Sequence, residues 1–461
     1  MDRRNFLKTS GAVAGTMLIN SALGNTLSNA APPASKKKLR YALVGCGHRG
    51  TGMWGKQLVD TGYKDYLDFV GLCDSNPGRL QFAKRVMQIP DCPTYTDFDK
   101  MLSETKPDVV MITTPDATHH TFIVKALNFG ANVISEKPMT TDEFKCQEIL
   151  DAQNKSGKKV TVTFNYRYSP HRAKIWELLR AGEIGEITSV DFHWYLNTSH
   201  GADYFRRWHG FREKEGVYSN VNSKAGGGSL LLHKASHHFD LLNWWIGSEP
   251  EQVMALGGLE FYGKNGDFRG ENCRLCSHKE ECNFYWDVTK DKRLTELYVD
   301  CEKYDGYYRD GCVFRENIDI FDKMALSIRY MNKVQVSYSL TTYSPYEGYR
   351  IAFNGTKGRL EAWIKEKQPW EEEDGDVLML TKMFGKRKII RIMPQEGGHG
   401  GGDPRLHARL FKEPDAPDTL KQAAGLREGA MAVLIGIAAR NSIDTGKIVK
   451  IADLTTLKPQ V

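Results

Sequence analysis

Short apolar runs recur through the first third of the chain, and stretches compatible with helices separate them. Four runs have the apolar composition of buried strands: residues 41–44, 67–72, 108–113 and 132–135. Residues 119–129 have the composition of a helix. Because strands and helices alternate, we predict a doubly wound parallel sheet over residues 38–160. Ligands of such sheets collect at the carboxyl ends of the strands.

The second half of the chain carries a different pattern. Residues 317–340 alternate between apolar and polar positions, and residues 349–353 and 358–364 extend the alternation. A period of two predicts antiparallel strands with one buried face. We assign them to a second domain over residues 161–461, whose last long helix is predicted at residues 423–441.

The composition narrows the class of protein. Of the 461 residues, 41% are hydrophobic and 26% are charged, as in an ordinary globular protein. The formal net charge is only +6, and basic residues do not alternate with aromatic residues along any predicted element, which argues against nucleic-acid binding. Beyond the N-terminus no apolar run is long enough to span a bilayer, so we expect no membrane segment in the mature form.

The N-terminus carries a targeting pattern. Arg3 and Arg4 precede Phe6-Leu7-Lys8 and a short apolar run rich in small residues. The pattern resembles a twin-arginine signal over residues 1–30, which sends folded proteins to the periplasm. An amphipathic or disordered N-terminal helix is the alternative.

A glycine triplet directly follows the first predicted strand. Gly45, Gly47 and Gly50 have the spacing G-x-G-x-x-G, which allows a tight turn, close approach of the backbone to a pyrophosphate, and close packing of helix on strand. Asp74 follows the second strand, where a carboxylate binds the adenosine ribose of NAD and repels the 2′-phosphate of NADP. Arg79 nearby weakens that preference, and Asp74 alternatively serves only as a turn residue.

Several motifs together resemble one family. They are G-C-G-H-R-G at 45–50, T-P-D-A-T-H-H at 114–120, E-K-P-M at 136–139, F-N-Y-R-Y at 164–168 and G-G-G at 226–228. The chain resembles the Gfo/Idh/MocA family, the relatives of glucose-fructose oxidoreductase and inositol dehydrogenase. The resemblance implies an α/β fold with an N-terminal Rossmann domain and a C-terminal α/β domain with an open, mainly antiparallel sheet. It also implies NAD(P)-dependent oxidation or reduction of a sugar or polyol, and a homo-oligomer.

Candidate site residues lie in and near these motifs. We assign cofactor binding to Gly45, Gly47, His48, Arg49, Gly50, Asp74, Thr114, His119, Glu136, Lys137 and Asn165. We assign substrate binding to Tyr166, Arg167, Trp208, His209, Lys234 and His399. Trp208 would suit the CH face of a sugar, although an aromatic at this position is equally compatible with the core.

Lys137 is the first candidate catalytic residue. The resemblance implies that it lies beside the nicotinamide and the reacting hydroxyl. A lysine at a strand terminus, held between Glu136 and Pro138, can donate to the substrate oxygen and ease its deprotonation. The alternative is an ordinary surface lysine.

His233 and His237 are the other catalytic candidates, because helical spacing puts them on one face. The family usually has Asp-x-x-x-His here, so His233 stands at the aspartate position. We predict that His237 is the general base and that His233 orients it or contacts the substrate. The pair alternatively holds a metal, although no third ligand is evident from the sequence.

The glycine-rich stretch 397–403 could fold over the site and deliver His399 to it. The alternative is a plain linker into a helix that begins near Asp403 and is capped by it.

A cysteine-rich loop is predicted at residues 270–314. Cys273, Cys276 and Cys282 have a spacing typical of metal ligands. The resemblance to a cysteine cluster in a subset of the family selects Cys312 over Cys301 as the fourth member. A structural zinc, two disulfides and an iron–sulfur cluster all remain open.

These observations predict a periplasmic, NAD-dependent oxidoreductase that acts on a sugar or glycoside hydroxyl, with C3 as one candidate position, and holds its cofactor tightly. One alternative is NAD-assisted glycoside cleavage through a transient 3-keto intermediate. A non-catalytic binding protein with a vestigial Rossmann domain is the other.

Overall fold

The computed structural model describes residues 38–212, 227–371, 375–393 and 395–461. The predicted signal at residues 1–30 and Gly226 of the G-G-G motif lie outside these residues. Within them, no helix has the length and apolar character needed to cross a membrane.

The N-terminal sheet has six parallel strands in the order β3-β2-β1-β4-β5-β6. Its strands are β1 Leu39–Val44, β2 Leu67–Cys73, β3 Thr94–Tyr95, β4 Val109–Ile112, β5 Asn132–Ser135 and β6 Val160–Val162. Its helices are α1 His48–Thr51, α2 Gln57–Asp60, α3 Pro77–Val86, α4 Phe98–Thr105, α5 His119–Phe129 and α6 Glu143–Ser156. The predicted doubly wound sheet is therefore confirmed.

The second sheet has nine strands in the order β14-β13-β12-β11-β7-β10-β9-β8-β15. The strands are β7 Ile187–Asn197, β8 Pro250–Gly258, β9 Lys323–Tyr330, β10 Gln335–Ser344, β11 Glu347–Gly355, β12 Gly358–Lys367, β13 Asp376–Lys382, β14 Arg387–Ile392 and β15 Val449–Lys450. Among the described strands of this sheet, only β7 and β10 pair in parallel. The predicted open, mainly antiparallel sheet is confirmed, and the strict alternation of buried and exposed residues in β9 is that of a strand with one face on the core.

In the described residues, eight helices accompany the second sheet. They are α7 Pro170–Arg180, α8 Thr198–Arg206, α9 Leu230–His233, α10 Ala235–Ile246, α11 Lys292–Leu297, α12 Glu302–Asp305, α13 Gly398–His407 and α14 Leu426–Thr445. Small residues let α14 pack closely on its neighbours, since a Cβ added at Gly436 would lie 2.5 Å from the carbonyl oxygen of Leu231. The segment before α14 pairs with β6, because Val162 N–H donates to Ala424 O. The C-terminal helix thus ties the second domain to the first.

One predicted helix start is confirmed only in part. α13 spans Gly398–His407, but its right-handed part begins after Gly401, close to the predicted start at Asp403, whose carboxylate binds His399 and Asn165. His399, Gly400 and Gly401 have left-handed backbone angles within this segment, with φ of 55°, 65° and 82°. Two of these three residues are glycines, for which left-handed angles cost little free energy. The glycine-rich stretch therefore forms a tight left-handed turn before the right-handed part of α13.

Candidate active site

A large cavity opens where the carboxyl ends of the parallel strands face the second sheet, and its volume is about 1690 Å³. Most predicted site residues line it: Gly45, Gly47, His48, Arg49, Asp74, Thr114, His119, Glu136, Lys137, Tyr166, Trp208, His209, His233, Lys234, His237 and His399. Gly50, Asn165 and Arg167 do not. The two domains therefore contribute to one site.

The glycine loop has the geometry that a dinucleotide requires. Gly45 has φ of +93°, and a Cβ there would lie 2.6 Å from the backbone of Thr113. A Cβ on Gly50 would lie 2.1 Å from the carbonyl oxygen of Gly45, so Gly50 acts beneath the loop and not at the cavity wall. Gly47 faces the cavity. These residues fit the pyrophosphate of NAD.

Asp74 lines the cavity beside this loop. Its carboxylate accepts hydrogen bonds from Cys46 N–H at 2.7 Å and from Arg79 Nε at 3.2 Å. Arg79 also pairs with Asp305 of α12. The guanidinium of Arg79, which made the predicted preference for NAD over NADP less certain, is thus bound by two carboxylates.

Part of the cysteine-rich loop at residues 270–314 lies against the glycine loop. The sequence did not indicate this contact. His48 N–H donates to Tyr298 Oη at 2.9 Å, and Arg293 Nη2 donates to His48 O at 3.3 Å. Asn76 Nδ2 donates to Cys301 O at 3.0 Å. Because these contacts join residues more than 200 positions apart, no local pattern could have predicted them.

Glu136 and Lys137 occupy the centre of the cavity. Glu136 accepts hydrogen bonds from Arg49 Nε and Trp54 Nε1, both at 2.6 Å. Burial alone would raise the pKa of Glu136, but Arg49 and Lys137 hold it below its ordinary value. Lys137 Nζ donates to His233 O at 3.0 Å. Burial lowers the pKa of Lys137 to about 8, although Asp116 and Glu136 act in the opposite direction.

His119 holds the two motif loops together. Its ring nitrogens lie 2.7 Å from the carbonyl oxygen of Pro138 and 2.8 Å from that of Thr114. The Lys137–Pro138 peptide bond is cis. His119 therefore positions the Glu136-Lys137-Pro138 turn.

His237 lies over an aromatic ring on the substrate side. Its imidazole stacks on Tyr166 with ring centroids 4.1 Å apart. Burial, followed by the charge of Lys137, holds its pKa well below the ordinary histidine value. Lys234 Nζ donates to Tyr166 Oη at 2.9 Å. A neutral imidazole at this position can accept a proton or a hydrogen bond.

His233 has a partner that the sequence analysis missed. Its Nδ1 lies 2.7 Å from Oδ2 of the buried Asp116. The carboxylate lacking at position 233 is thus supplied from the other domain. Asp116 stands inside the T-P-D-A-T-H-H motif at the end of a strand, and that position was the available signal.

His399 reaches the mouth of the cavity. Its Nδ1 lies 2.9 Å from Asn165 Nδ2 and 3.0 Å from the carboxylate of Asp403. Asn165 therefore positions α13 and has no place in the cavity wall. The ring centroids of His399 and His237 are 6.5 Å apart.

The structure does not place Arg167 at the cavity, contrary to its assignment as a substrate ligand. Its Nε and Nη2 donate to the two carboxylate oxygens of Asp240 at 2.7 and 2.6 Å, and both side chains are buried. The pair joins the F-N-Y-R-Y turn to α10.

The four selected cysteines line one small cavity of about 20 Å³, and Cys301 lies apart from it. His278 N–H donates to Cys276 Sγ, and Phe314 N–H donates to Cys312 Sγ, each at 3.4 Å. None of the nine cysteines, all of which lie in the described residues, forms a disulfide. Among the described residues, three ligand atoms within 4.8 Å of one another occur at Asp116, His209 and His233 and not at the cysteines.

Comparisons with known proteins agree with this architecture. Residues 39–164 match the NAD-binding Rossmann domain of the Gfo/Idh/MocA oxidoreductase family, and residues 176–451 match its C-terminal α/β domain. The chain is 36% identical over 434 residues to YteT of Bacillus subtilis, a protein named provisionally as an oxidoreductase, with coverage of 89% of this chain and 98% of that protein.

Two more distant comparisons are informative. The D-glucoside 3-dehydrogenase of Escherichia coli is 29% identical over 156 residues, or 32% of this chain and 41% of that protein. An Agrobacterium radiobacter oxidoreductase solved with NAD⁺ shares the fold, with a TM-score of 0.60, 15% identity, and coverage of 90% of this chain and 99% of that chain. The glycine loop and both family matches lead to one conclusion: the chain belongs to the Gfo/Idh/MocA family of NAD-binding oxidoreductases.

Proposed function

We propose that the protein oxidises or reduces a carbohydrate at a ring carbon, with C3 of a pyranoside as the position. The observation that carries the proposal is the convergence of Lys137 from the first domain with His233 and His237 from the second on one cavity. The D-glucoside 3-dehydrogenase relative supports the substrate class and the carbon.

Each residue of the site has its own role in the proposed reaction. Lys137, with a pKa near 8, exchanges a proton with the reacting oxygen close to neutral pH. His237 accepts a hydrogen bond or the proton, and Tyr166 holds its ring in place by stacking. Gly45, Gly47 and Asp74 would hold NAD, which supplies the acceptor for the hydride of the sugar carbon.

The direct test is incubation of the purified protein with a series of pyranosides. Formation of a 3-keto sugar together with NADH supports the proposal. Release of free aglycone without net NADH indicates glycoside cleavage instead, and a protein that neither contains nor binds NAD is not an oxidoreductase of this kind.

We propose further that NAD stays bound through many turnovers. Support comes from the part of the cysteine-rich loop that lies against the glycine loop, where Tyr298 Oη lies 3.4 Å from the position of a Cβ on Gly47. A hydroxyl there can accept from His48 N–H and donate its own proton to a phosphate oxygen. Release of nucleotide on denaturation, measured by absorbance before and after dialysis, tests this proposal.

We propose periplasmic export in the folded, NAD-loaded state, with the Arg3-Arg4 pattern as support. Replacing both arginines by lysine should retain the protein in the cytoplasm in cell fractionation. Export of the doubly substituted chain at the normal rate would contradict the proposal.

We also propose a structural zinc at Cys273, Cys276, Cys282 and Cys312. The support is their shared small cavity and the two backbone N–H groups that point at Sγ atoms, as second-shell donors do around thiolate sites. Metal analysis combined with thiol counting tests this site, and two disulfides without metal would exclude it.

A further inference from the structure

Three side chains from separate elements meet beside Lys137. Asp116 follows β4, His209 follows α8, and His233 ends α9. One ligand atom from each lies within 4.8 Å of the other two. Ligand atoms this near to one another can reach one cation through small side-chain movements.

His209 is the member that lacks a partner. The residue is only 1% exposed, and neither ring nitrogen has a hydrogen-bond partner among the described residues. Its ring stacks on Trp208 with centroids 3.5 Å apart and meets the ring of His233 at 4.0 Å. A buried imidazole without a partner is unfavourable, so its orientation toward His233 and Asp116 points to a ligand between them.

We propose that Asp116, His209 and His233 bind a divalent transition-metal ion of the zinc type. Two imidazoles and one carboxylate are a donor set that zinc accepts, and a site with three protein ligands leaves a position for water or substrate. All three residues line the large cavity, so that position faces the substrate. This site differs from the His233–His237 pair considered from the sequence, because it shares only His233 with that pair and takes Asp116 and His209 as its other ligands.

The surroundings set the expected affinity. Lys137 and Arg207 line the same part of the cavity and carry positive charge. Asp116 supplies the single anionic ligand of the group. We therefore expect weaker binding than at four thiolates, and a chelator should remove this ion before any ion of the cysteine loop.

The ion would bind neighbouring oxygen atoms of the sugar and fix its orientation. This role in substrate binding rests on the proposed carbohydrate reaction. Metal binding itself does not, because it is measured without sugar and without turnover, so a failed metal test leaves the nucleotide and keto-sugar tests unaffected.

The experiment is a Co²⁺ titration of the chelator-treated protein, followed by visible absorption and metal analysis. After chelation that leaves any ion of the cysteine loop in place, the wild type should bind one Co²⁺ with nitrogen and oxygen ligands, recognisable because no thiolate charge-transfer band appears. His209→Gln and Asp116→Asn should lose that equivalent, whereas Cys276→Ser combined with Cys282→Ser should keep it. Near-ultraviolet circular dichroism and bound nucleotide verify that each variant is folded.

Two results would overturn the proposal. One is an unchanged Co²⁺ spectrum in folded His209→Gln, and the other is a wild type that binds Co²⁺ only through thiolates or not at all. Should the variants fail to fold, pulsed electron paramagnetic resonance of the Cu²⁺-loaded wild type decides, since two coordinated imidazoles support the site and none excludes it.

Discussion

The two ends of the cavity are built differently. At the nucleotide end, backbone groups form hydrogen bonds with one another: Gly45 N–H donates to Cys73 O at 2.8 Å, and Thr113 N–H donates to Val44 O at 2.9 Å. At the substrate end, the ring nitrogens of His209 and Nδ1 of His237 are buried without a hydrogen-bond partner in the described chain. The first end is held by backbone pairing between neighbouring strands of the parallel sheet, whereas the second depends on side chains from several separate elements.

The largest expected effect is at the junction of the two ends. Lys137→Met removes the proton-exchanging group and should lower kcat by about 10²- to 10⁴-fold, the usual contribution of general acid–base catalysis. Bound nucleotide should fall much less than kcat, because the glycine loop remains intact. Steady-state NADH formation and released nucleotide measure the two effects, and a variant with normal kcat would separate Lys137 from the chemistry.

Substitution of Arg167 tests whether this residue serves the fold or the substrate. Arg167→Ala leaves Asp240 as a buried carboxylate without its partner, which should reduce the free energy of unfolding by about 3–5 kcal/mol. KM of the folded variant should change little, since Arg167 does not line the cavity. Urea unfolding and steady-state kinetics measure these quantities. A large rise in KM at unchanged stability would restore Arg167 as a substrate ligand.

The pH profile probes the state of Lys137. Its folded pKa is lowered to about 8, so the amine is protonated below that pH and neutral above it. If the neutral amine accepts the hydroxyl proton, kcat/KM for oxidation rises about tenfold per pH unit below 8 and levels off above it. The reverse reduction, which needs the protonated form, falls above pH 8. An oxidation rate that is flat between pH 6 and 9 would contradict this role, since that range extends about one unit or more below and above the pKa of Lys137.

The smallest expected effect concerns the part of the cysteine-rich loop that lies against the glycine loop. Tyr298→Phe removes the hydroxyl that accepts from His48 N–H, so the off-rate of nucleotide should rise by about 2- to 12-fold, the equivalent of one hydrogen bond. The exposed Tyr304→Phe is the matched control and should have no effect. Stopped-flow displacement measures both rates, and equal off-rates would show that this part of the cysteine-rich loop does not retain NAD.

The sequence was sufficient for features governed by local patterns. The parallel sheet, the alternating strands and the positions of Gly45 and Lys137 followed from short motifs. The sequence could not show that Asp116 faces His233, or that Arg167 is held by Asp240, because those pairs are 117 and 73 positions apart. It located the start of the right-handed helix near Asp403, but it did not show that the carboxylate of Asp403 binds His399 and Asn165. Side-chain pairing over long distances leaves no periodic trace in the chain.

The contact between Tyr298 and His48 spans 250 residues, which has a consequence for biosynthesis. The ribosome releases the whole Rossmann domain long before it releases the segment that covers the glycine loop. A nascent chain can therefore fold its nucleotide site early, but that site becomes enclosed only after nearly half of the second domain has been made. We expect chains that stop before residue 290 to bind NAD and lose it readily, so retained NAD reports that synthesis has passed this point.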